Sequence, residues 1–353
     1  MAKNEREFAA DFRMVEADVR GMSIAVLLPC YNEEKSIAGV VTGFRAALPG
    51  ARIYVYDNNS SDDTSGEAAR AGAVVIPSRR QGKGNVVRQM FADIEADVYL
   101  MADGDGTYDP SAAPDLIRKL LEDRCDMVVG TRRNVRQDAG RNGHAFGNRL
   151  FNRVYRTLFG NDFSDILSGY RAFSRRYAKS FPASSPGFEI ETEMSVHASM
   201  LRLPVSEIEF DYGRRAEGSV SKLSTFRDGW RIMRMMGLLM KETKPFAFFG
   251  MISLALFAAC VAFAVPVLAE YLDTGLVTRY PTWIFSMTLL LAAMMTFIAG
   301  VILDSLARAR IEQKRIHYLS IPAARGERVQ LGTEPLQERR SGRPGSPAFR
   351  ERA

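Results

Sequence analysis

The chain has 353 residues, room for one large domain and a smaller second element, and 47 Lys and Arg against 41 Asp and Glu leave a formal charge of +6. Three histidines are too few for a His-rich metal tract. Three cysteines, Cys30, Cys125 and Cys260, with no C-x-x-C pair, exclude a disulfide framework or a zinc ribbon and fit a reducing, cytosol-facing compartment. The basic excess is mild and accompanies no recognised nucleic-acid module, so nucleic acid is not expected as a partner.

Residues 1–21 are charged throughout, with Phe8, Phe12, Val15 and Val19 on a narrow helical stripe, and predict a covering helix instead of a targeting sequence. From Ser23 the pattern alternates. Apolar strands are expected at 24–28, 53–56, 73–76, 98–101 and 127–129, with helices near 34–48, 62–71, 83–95 and 111–122 and a last strand over 203–212. Such alternation predicts an α/β domain over 22–221 with a largely parallel sheet, since parallel neighbours require crossover helices. Ligands of such sheets bind at the carboxyl ends of the strands.

Residues 222–243 form a basic amphipathic helix, with Phe226, Trp230, Met233, Gly237 and Met240 at helical spacing. It either lies in the lipid headgroup layer or packs on the globular domain. Residues 246–268 and 283–303 carry no charge, and at ~1.5 Å per residue each is long enough to cross a hydrocarbon core of ~30 Å. Two transmembrane helices within 244–319 are therefore expected. Arg308, Arg310, Lys314 and Arg315 follow the second span, whereas the connector has Glu270 and Asp273 against Arg279, so the positive-inside bias places both termini in the cytoplasm. Residues 320–353, rich in Arg, Gly, Pro and Glu, predict a disordered tail.

Four segments at predicted strand ends carry chemistry. Asp103-Gly104-Asp105-Gly106-Thr107-Tyr108-Asp109 offers two carboxylates one residue apart, with glycines that permit close approach. That is a site for a hard divalent ion held together with substrate phosphates, Mg2+ or Mn2+, or else a solvated acidic turn. An EF-hand is disfavoured by Thr107 and Tyr108 at its fifth and sixth positions. Pro29-Cys30-Tyr31-Asn32-Glu33-Glu34 ends the first strand. Asp57, one residue past the second strand, can reach a nucleobase or ribose donor, while Asp62 offers a helix cap. Gly82-Lys83-Gly84-Asn85 opens a helix whose free N–H groups would favour phosphate, but it lacks the Walker A spacing.

In this order and at these strand ends, PCYNEE, YDNNSSDDT, QGKGN and DGDGTYD resemble the inverting family 2 glycosyltransferases of the GT-A nucleotide-sugar fold. Gly130-Thr131-Arg132-Arg133, Gly147-Asn148-Arg149, the run from Asp165 to Arg171, and Ser221-Lys222-Leu223 are similar to the dolichyl-phosphate mannose synthase and polyprenyl-phosphate glycosyltransferase branch, over about residues 22–243. The resemblance implies that Pro29, Tyr31, Glu33 and Asp57 hold the nucleoside and that Lys83 lies near the diphosphate. Asp103 and Asp105 would bind the metal. Arg132, Arg149 and Lys222 would grip a lipid phosphate, and Asp165 and Arg171 would line the transfer site. Thr107 stands where the mannose synthases place Gln, which leaves the third metal ligand open.

The implied reaction moves a hexose or hexose derivative from a nucleotide sugar, UDP-linked by expectation, to polyprenyl phosphate at the cytoplasmic membrane face. A glycan or glycolipid acceptor, and a non-enzymatic membrane scaffold, stand as alternatives. Self-association is implied by relatives that assemble through the juxtamembrane region. Among the glutamates of Phe188-Glu189-Ile190-Glu191-Thr192-Glu193, Glu191 is the candidate to touch a sugar hydroxyl.

Overall fold

A computed structural model describes residues 21–132, 155–156, 160, 163–187, 189–210, 234, 237–238 and 240–322. Residues 1–20 of the expected N-terminal helix, most of 222–243, Arg149, Lys222 and the tail beyond 322 lie outside the described residues.

Seven strands form one sheet: β1 (Ile24–Cys30), β2 (Arg52–Asp57), β3 (Val74–Pro77), β4 (Val98–Met101), β5 (Met127–Arg132), β6 (Arg171–Ser174) and β7 (Val205–Phe210), in the order β3-β2-β1-β4-β6-β5-β7. Every pairing is parallel except those of β6, which runs antiparallel to β4 and β5. Four helices connect the first five strands: α1 (Ile37–Ala47), α2 (Thr64–Arg70), α3 (Lys83–Asp93) and α4 (Ala113–Glu122). Two more, α5 (Arg175–Ser180) and α6 (Ile190–Leu201), follow β6. The first five strands, their four connecting helices and the last strand match the sequence expectation, whereas α5, α6 and β6 are absent from it, and β6 inverts the local polarity of the sheet. Its first residue, Arg171, pairs with Met101 and Val129, so the segment leading into it crosses the carboxyl ends of β4 and β5.

Both sheet faces are covered, which is why the inner strands are continuous apolar runs. The two-residue period sends Ala25 and Leu27 of β1 into one core with Val86, Met90 and Phe91 of α3 and Met194 of α6. Val26, Leu28 and Cys30 enter a second core with Val41 and Phe44 of α1 and Leu116 and Leu120 of α4.

Beyond the sheet, α7 (Pro245–Thr274) and α8 (Tyr280–Ser320) form a hairpin, and both are long and apolar enough to cross a membrane. Gly300 permits their close approach, since a Cβ there would stand 3.0 Å from Phe249 Cβ. Ser253 Oγ donates to Ala293 O at 2.8 Å, and Phe246–Phe297 and Phe263–Phe285 meet edge to face. Leu254, Val265, Leu291 and Ile302 are exposed on the outside of the hairpin, as a lipid-facing surface requires.

At ~1.5 Å per residue, the 41 residues of α8 extend well past a bilayer's hydrocarbon core. The stretch beyond Leu303, read from sequence as a basic flank, continues as a helical stem docked on the globular domain. Ile311 and Tyr318 pack against the core formed with α3, α5 and α6. Tyr318 Oη donates to Asp126 Oδ2 at 2.7 Å, Arg176 Nε donates to Ile321 O at 3.1 Å, and its guanidinium lies 5.9 Å from the Tyr318 ring centre. Asp126 immediately precedes β5, so the far end of the stem reaches the amino edge of the sheet. Its near end, at Ala307, shares a cavity wall with Gly82, which opens α3 at the carboxyl edge.

Candidate active site

The loops after β1 and β2 are laced together. Asn32, in left-handed conformation (φ 52), receives the Ser61 N–H on Oδ1 at 2.8 Å and donates its own N–H to Ser60 Oγ at 2.9 Å. The Glu33 N–H donates to Thr64 Oγ1 at 2.8 Å. Asp57 receives the Ser60 N–H on Oδ1 at 3.0 Å and the Ser65 hydroxyl on Oδ2 at 2.6 Å, which fixes its carboxylate at the end of β2. Burial acts to raise the pKa of Asp62, but hydrogen bonds from Thr64 and the Glu34 N–H hold it below the usual carboxylate range. Tyr31 is exposed beside this platform, and Pro29 lies in β1 opposite Tyr56.

Asn58 is a site residue that sequence reasoning passed over. Its buried amide donates to Ser78 O and Arg80 O, and Oδ1 accepts the Gly82 N–H at 2.7 Å. This couples the end of β2 to the start of α3. There, the glycines serve backbone approach. A Cβ on Gly84 would lie 1.9 Å from Ser185 O, and one on Gly82 2.2 Å from Pro186 O. The Gly84 N–H donates to Pro186 O at 3.1 Å. The expectation of free N–H groups at this helix start is therefore corrected: those of Gly82 and Gly84 are both taken within the chain. Glu193 secures the other side by accepting the Ser184 and Ser185 N–H groups at 2.9 and 2.7 Å.

Lys83 projects from α3 between two carboxylates, Asp103 Oδ1 and Glu191 Oε1, each 2.5 Å from Nζ. Burial alone would lower its pKa, but Asp103 and Glu191 outweigh that effect and hold the ammonium protonated. Glu191 is 3% exposed, and its second oxygen, Oε2, has no hydrogen-bond partner among the described residues. Asp103 remains open, with its side chain 30% exposed. Asp105 is buried and receives the Thr107 N–H at 3.1 Å and the Thr107 hydroxyl at 2.6 Å on Oδ1. Thr107 thus orients the second carboxylate. Gly106, at φ 76, supplies the left-handed turn that follows Asp105.

The segment before β6 closes this side. The Gly169 N–H donates to Tyr108 Oη at 2.8 Å, and a Cβ on Gly169 would stand 3.1 Å from both Asp103 Oδ2 and Lys83 Nζ. Asp165 pairs with Arg132 through two bonds, Nε to Oδ2 at 2.7 Å and Nη2 to Oδ1 at 2.9 Å. Burial opposes ionisation of Asp165, yet the Arg132 guanidinium keeps its pKa below the usual range. Arg171, expected to line the transfer site, lies behind it with 0% exposure. Its guanidinium donates to Ser168 O at 2.8 Å, Ile166 O at 2.9 Å and Ser195 Oγ at 3.0 Å, bracing the loop from the core.

Among the described residues no three His, Cys, Asp or Glu come together as a metal-ligating group. The pair Asp103 and Asp105 nevertheless fits a cation whose remaining ligands are substrate phosphates and water: both are hard oxygen donors at a strand end, and Asp103 is open to the cleft.

Residues 25–181 match the family described as Glycosyl transferase family 2. Glycosyltransferase AglJ of Haloferax volcanii is 34% identical over 300 residues, 84% of this chain and 98% of that one. The chain belongs to glycosyltransferase family 2. A dolichyl-phosphate hexose transferase of the same organism is 27% identical over 206 residues, 58% of this chain and 89% of that protein. The fold is shared with glucosyl-3-phosphoglycerate synthase of Mycobacterium tuberculosis, solved with Mn2+, UDP and phosphoglyceric acid: TM-score 0.54, 22% identity, 65% of this chain and 81% of that one. The architecture is thus the GT-A type, followed by two apolar helices, and the protein is a glycosyltransferase.

Proposed function

We propose that the protein moves a hexose or hexose derivative from a UDP-sugar to polyprenyl phosphate at the cytoplasmic membrane face, with inversion at the anomeric carbon and both termini cytoplasmic. Orientation is the observation that carries this reading. The stem of α8 begins beside Gly82 at the carboxyl edge of the sheet and ends beside Asp126 at the amino edge, so the carboxylate-bearing strand ends face the side from which the apolar hairpin arises. A lipid-borne acceptor would meet the cleft directly. The likeness to a dolichyl-phosphate hexose transferase supports a lipid acceptor, and the Mn2+ and UDP held by the fold neighbour support the donor side.

The chemistry asks little acid–base work of the protein. A phosphate monoester is ionised at neutral pH, so its oxygen can attack the anomeric carbon while the bond to the nucleoside diphosphate breaks with its electron pair. Positioning and charge neutralisation dominate. Pro29, Tyr31, Glu33 and the immobilised Asp57 would hold the nucleoside. Asp103 and Asp105 would hold Mg2+ or Mn2+, which when bound stabilises the departing diphosphate as a Lewis acid. Lys83, kept cationic by its two carboxylates, adds positive charge on the diphosphate side. Arg132 with Asp165, together with Arg149 and Lys222, are the acceptor-side candidates, and Arg171 positions their loop.

The test is incubation of membranes carrying the protein with undecaprenyl phosphate, Mg2+ and a panel of UDP-sugars, with mass spectrometry of the lipid. A lipid gaining one sugar, absent in Asp105→Asn, supports the reading. Donor binding without lipid product from any UDP- or GDP-sugar would point to a glycan or glycolipid acceptor, and no donor binding to a scaffold.

A further inference from the structure

A cavity of about 800 Å³ lies where the α8 stem meets the globular domain. Its walls include Gly82, His197, Met200, Arg234, Arg310 and Lys314. Three features distinguish it from a packing defect. Its wall includes Ala307, four residues past the uncharged stretch of α8, and so it lies just beyond the apolar span, at the level expected for a lipid headgroup. The α8 stem contributes cations to it, Arg310 and Lys314, and no ion pair ties either to another described residue. Finally, His197 is only 3% exposed, yet its Nε2 has no hydrogen-bond partner among the described residues. A buried polar nitrogen without a partner costs about 1–3 kcal/mol, and the residue that carries it forms part of this cavity's wall.

The lining also says what kind of ligand. Burial, reinforced by Lys314, lowers the His197 pKa to about 3, so the ring is neutral and the cavity's positive charge comes from Arg234, Arg310 and Lys314. Of the carboxylates present, Glu193 already accepts two backbone N–H groups, leaving Glu189 and Glu242 against the three cations. Met200, Ile311 and Leu238 supply apolar surface beside these charges. An anionic head on an apolar chain satisfies this combination, whereas a sugar or an inorganic ion uses only part of it.

We propose that this junction cavity is the landing site for the phosphate monoester of a membrane-lipid acceptor, with Arg310 and Lys314 as its cationic contacts. The proposal rests on the lipid-acceptor reading above and adds a second phosphate-recognising group to Arg132, on a different element. The cavity includes Gly82, at the start of α3, in its wall, so a lipid phosphate held here lies on the carboxyl side of the sheet.

The experiment uses the full chain in phosphatidylcholine nanodiscs and measures binding of farnesyl phosphate, farnesol and inorganic phosphate, together with UDP affinity. The variant is Arg310→Gln with Lys314→Gln, which keeps helix length and most of the side-chain bulk. The expected result is farnesyl phosphate binding weakened at least ~10-fold, about 1.4 kcal/mol, with farnesol partition and UDP affinity unchanged. Unchanged farnesyl phosphate affinity, or parallel loss of UDP binding, overturns the proposal. Inorganic phosphate binding as tightly as farnesyl phosphate overturns the lipid assignment in favour of a free-phosphate site. Failure of the wild type to glycosylate any lipid phosphate refutes the function while leaving this binding result to stand or fall separately.

Discussion

Replacing Glu191 by Gln tests the buried cluster directly, because it removes one charge and keeps the shape. Lys83 is 8% exposed on its side chain and sits 2.5 Å from both Glu191 and Asp103. At an effective dielectric of ~20, each contact is worth roughly 7 kcal/mol of gross Coulomb attraction, most of it offset by desolvation. Removing one partner of a buried pair costs about 3–5 kcal/mol when the remaining charge is stranded. In Glu191→Gln, Lys83 keeps Asp103, and the amide oxygen of the new side chain can still accept a hydrogen bond, so the expected loss of stability is smaller, about 2 kcal/mol. The second consequence is functional. With the charge at position 191 removed, Asp103 alone balances Lys83, and the cluster's net charge rises from −1 to 0, so Asp103 becomes a poorer ligand for a divalent ion. Activity should fall about 10–100-fold at low Mg2+ and recover partly at high Mg2+, and denaturant unfolding should show the stability loss. Asp103→Asn, at a more open position, should lose less stability and gain nothing from added Mg2+. A Glu191→Gln protein with wild-type unfolding and an unshifted Mg2+ dependence would refute the coupling.

Thr107→Val keeps side-chain volume but removes the hydroxyl that Asp105 accepts at 2.6 Å; Mg2+ half-saturation should rise severalfold, and Thr107→Ser should restore it. Asp165 has a depressed folded pKa, so its pairing with Arg132 stabilises the fold above the unfolded carboxylate pKa of ~4 and is lost as pH falls through the lower folded value. Asp165→Asn should therefore lower stability at neutral pH and flatten the acid limb of a stability profile, whereas an unchanged acid limb would exclude this pair as its source. Tyr318→Phe leaves Asp126 Oδ2 without the donor at 2.7 Å and should cost about 1 kcal/mol, read as faster amide exchange over residues 304–320 than in the wild type.

The repeating elements were legible because both sheet faces are covered, so β1, β2 and β4 are apolar runs punctuated by polar strand ends. β6 was not, because four residues opening on an arginine carry no apolar alternation; the Arg171 side chain is accommodated in the core by its carbonyl partners, which sequence does not display. The candidate site was legible wherever chemistry follows local spacing, as with Asp103, Asp105 and Asp57. It was opaque wherever partners come from afar. Glu191 meets Lys83 across more than 100 residues, and Asn58 ties Gly82 to β2 across 24, a partner that its own acidic motif does not display. The stem of α8 was hidden for a related reason: its charges resemble a solvated flank, and only its contacts with Asp126 and Arg176 reveal a docked helix.

The docked stem has a consequence of its own. An acceptor confined to a bilayer offers its phosphate at a nearly fixed depth, so a cleft on a flexible tether would meet it only for the fraction of time the tether allows. A continuous helix docked at Ile311 and Tyr318 removes that freedom and fixes both height and facing. Inserting Gly-Ser-Gly-Gly after Asp304 would break the helix between the apolar hairpin and the stem while leaving the stem's contacts with the domain available. Transfer to a long polyprenyl phosphate embedded in vesicles should then fall at least ~10-fold, the loss expected when a fixed geometry becomes a tethered one. Transfer to a short, water-dispersed farnesyl phosphate should stay within about twofold, because that acceptor does not depend on the cleft's height. Equal loss on both acceptors would mean that the insertion damages the site itself, and equal retention would mean that the stem sets neither height nor facing.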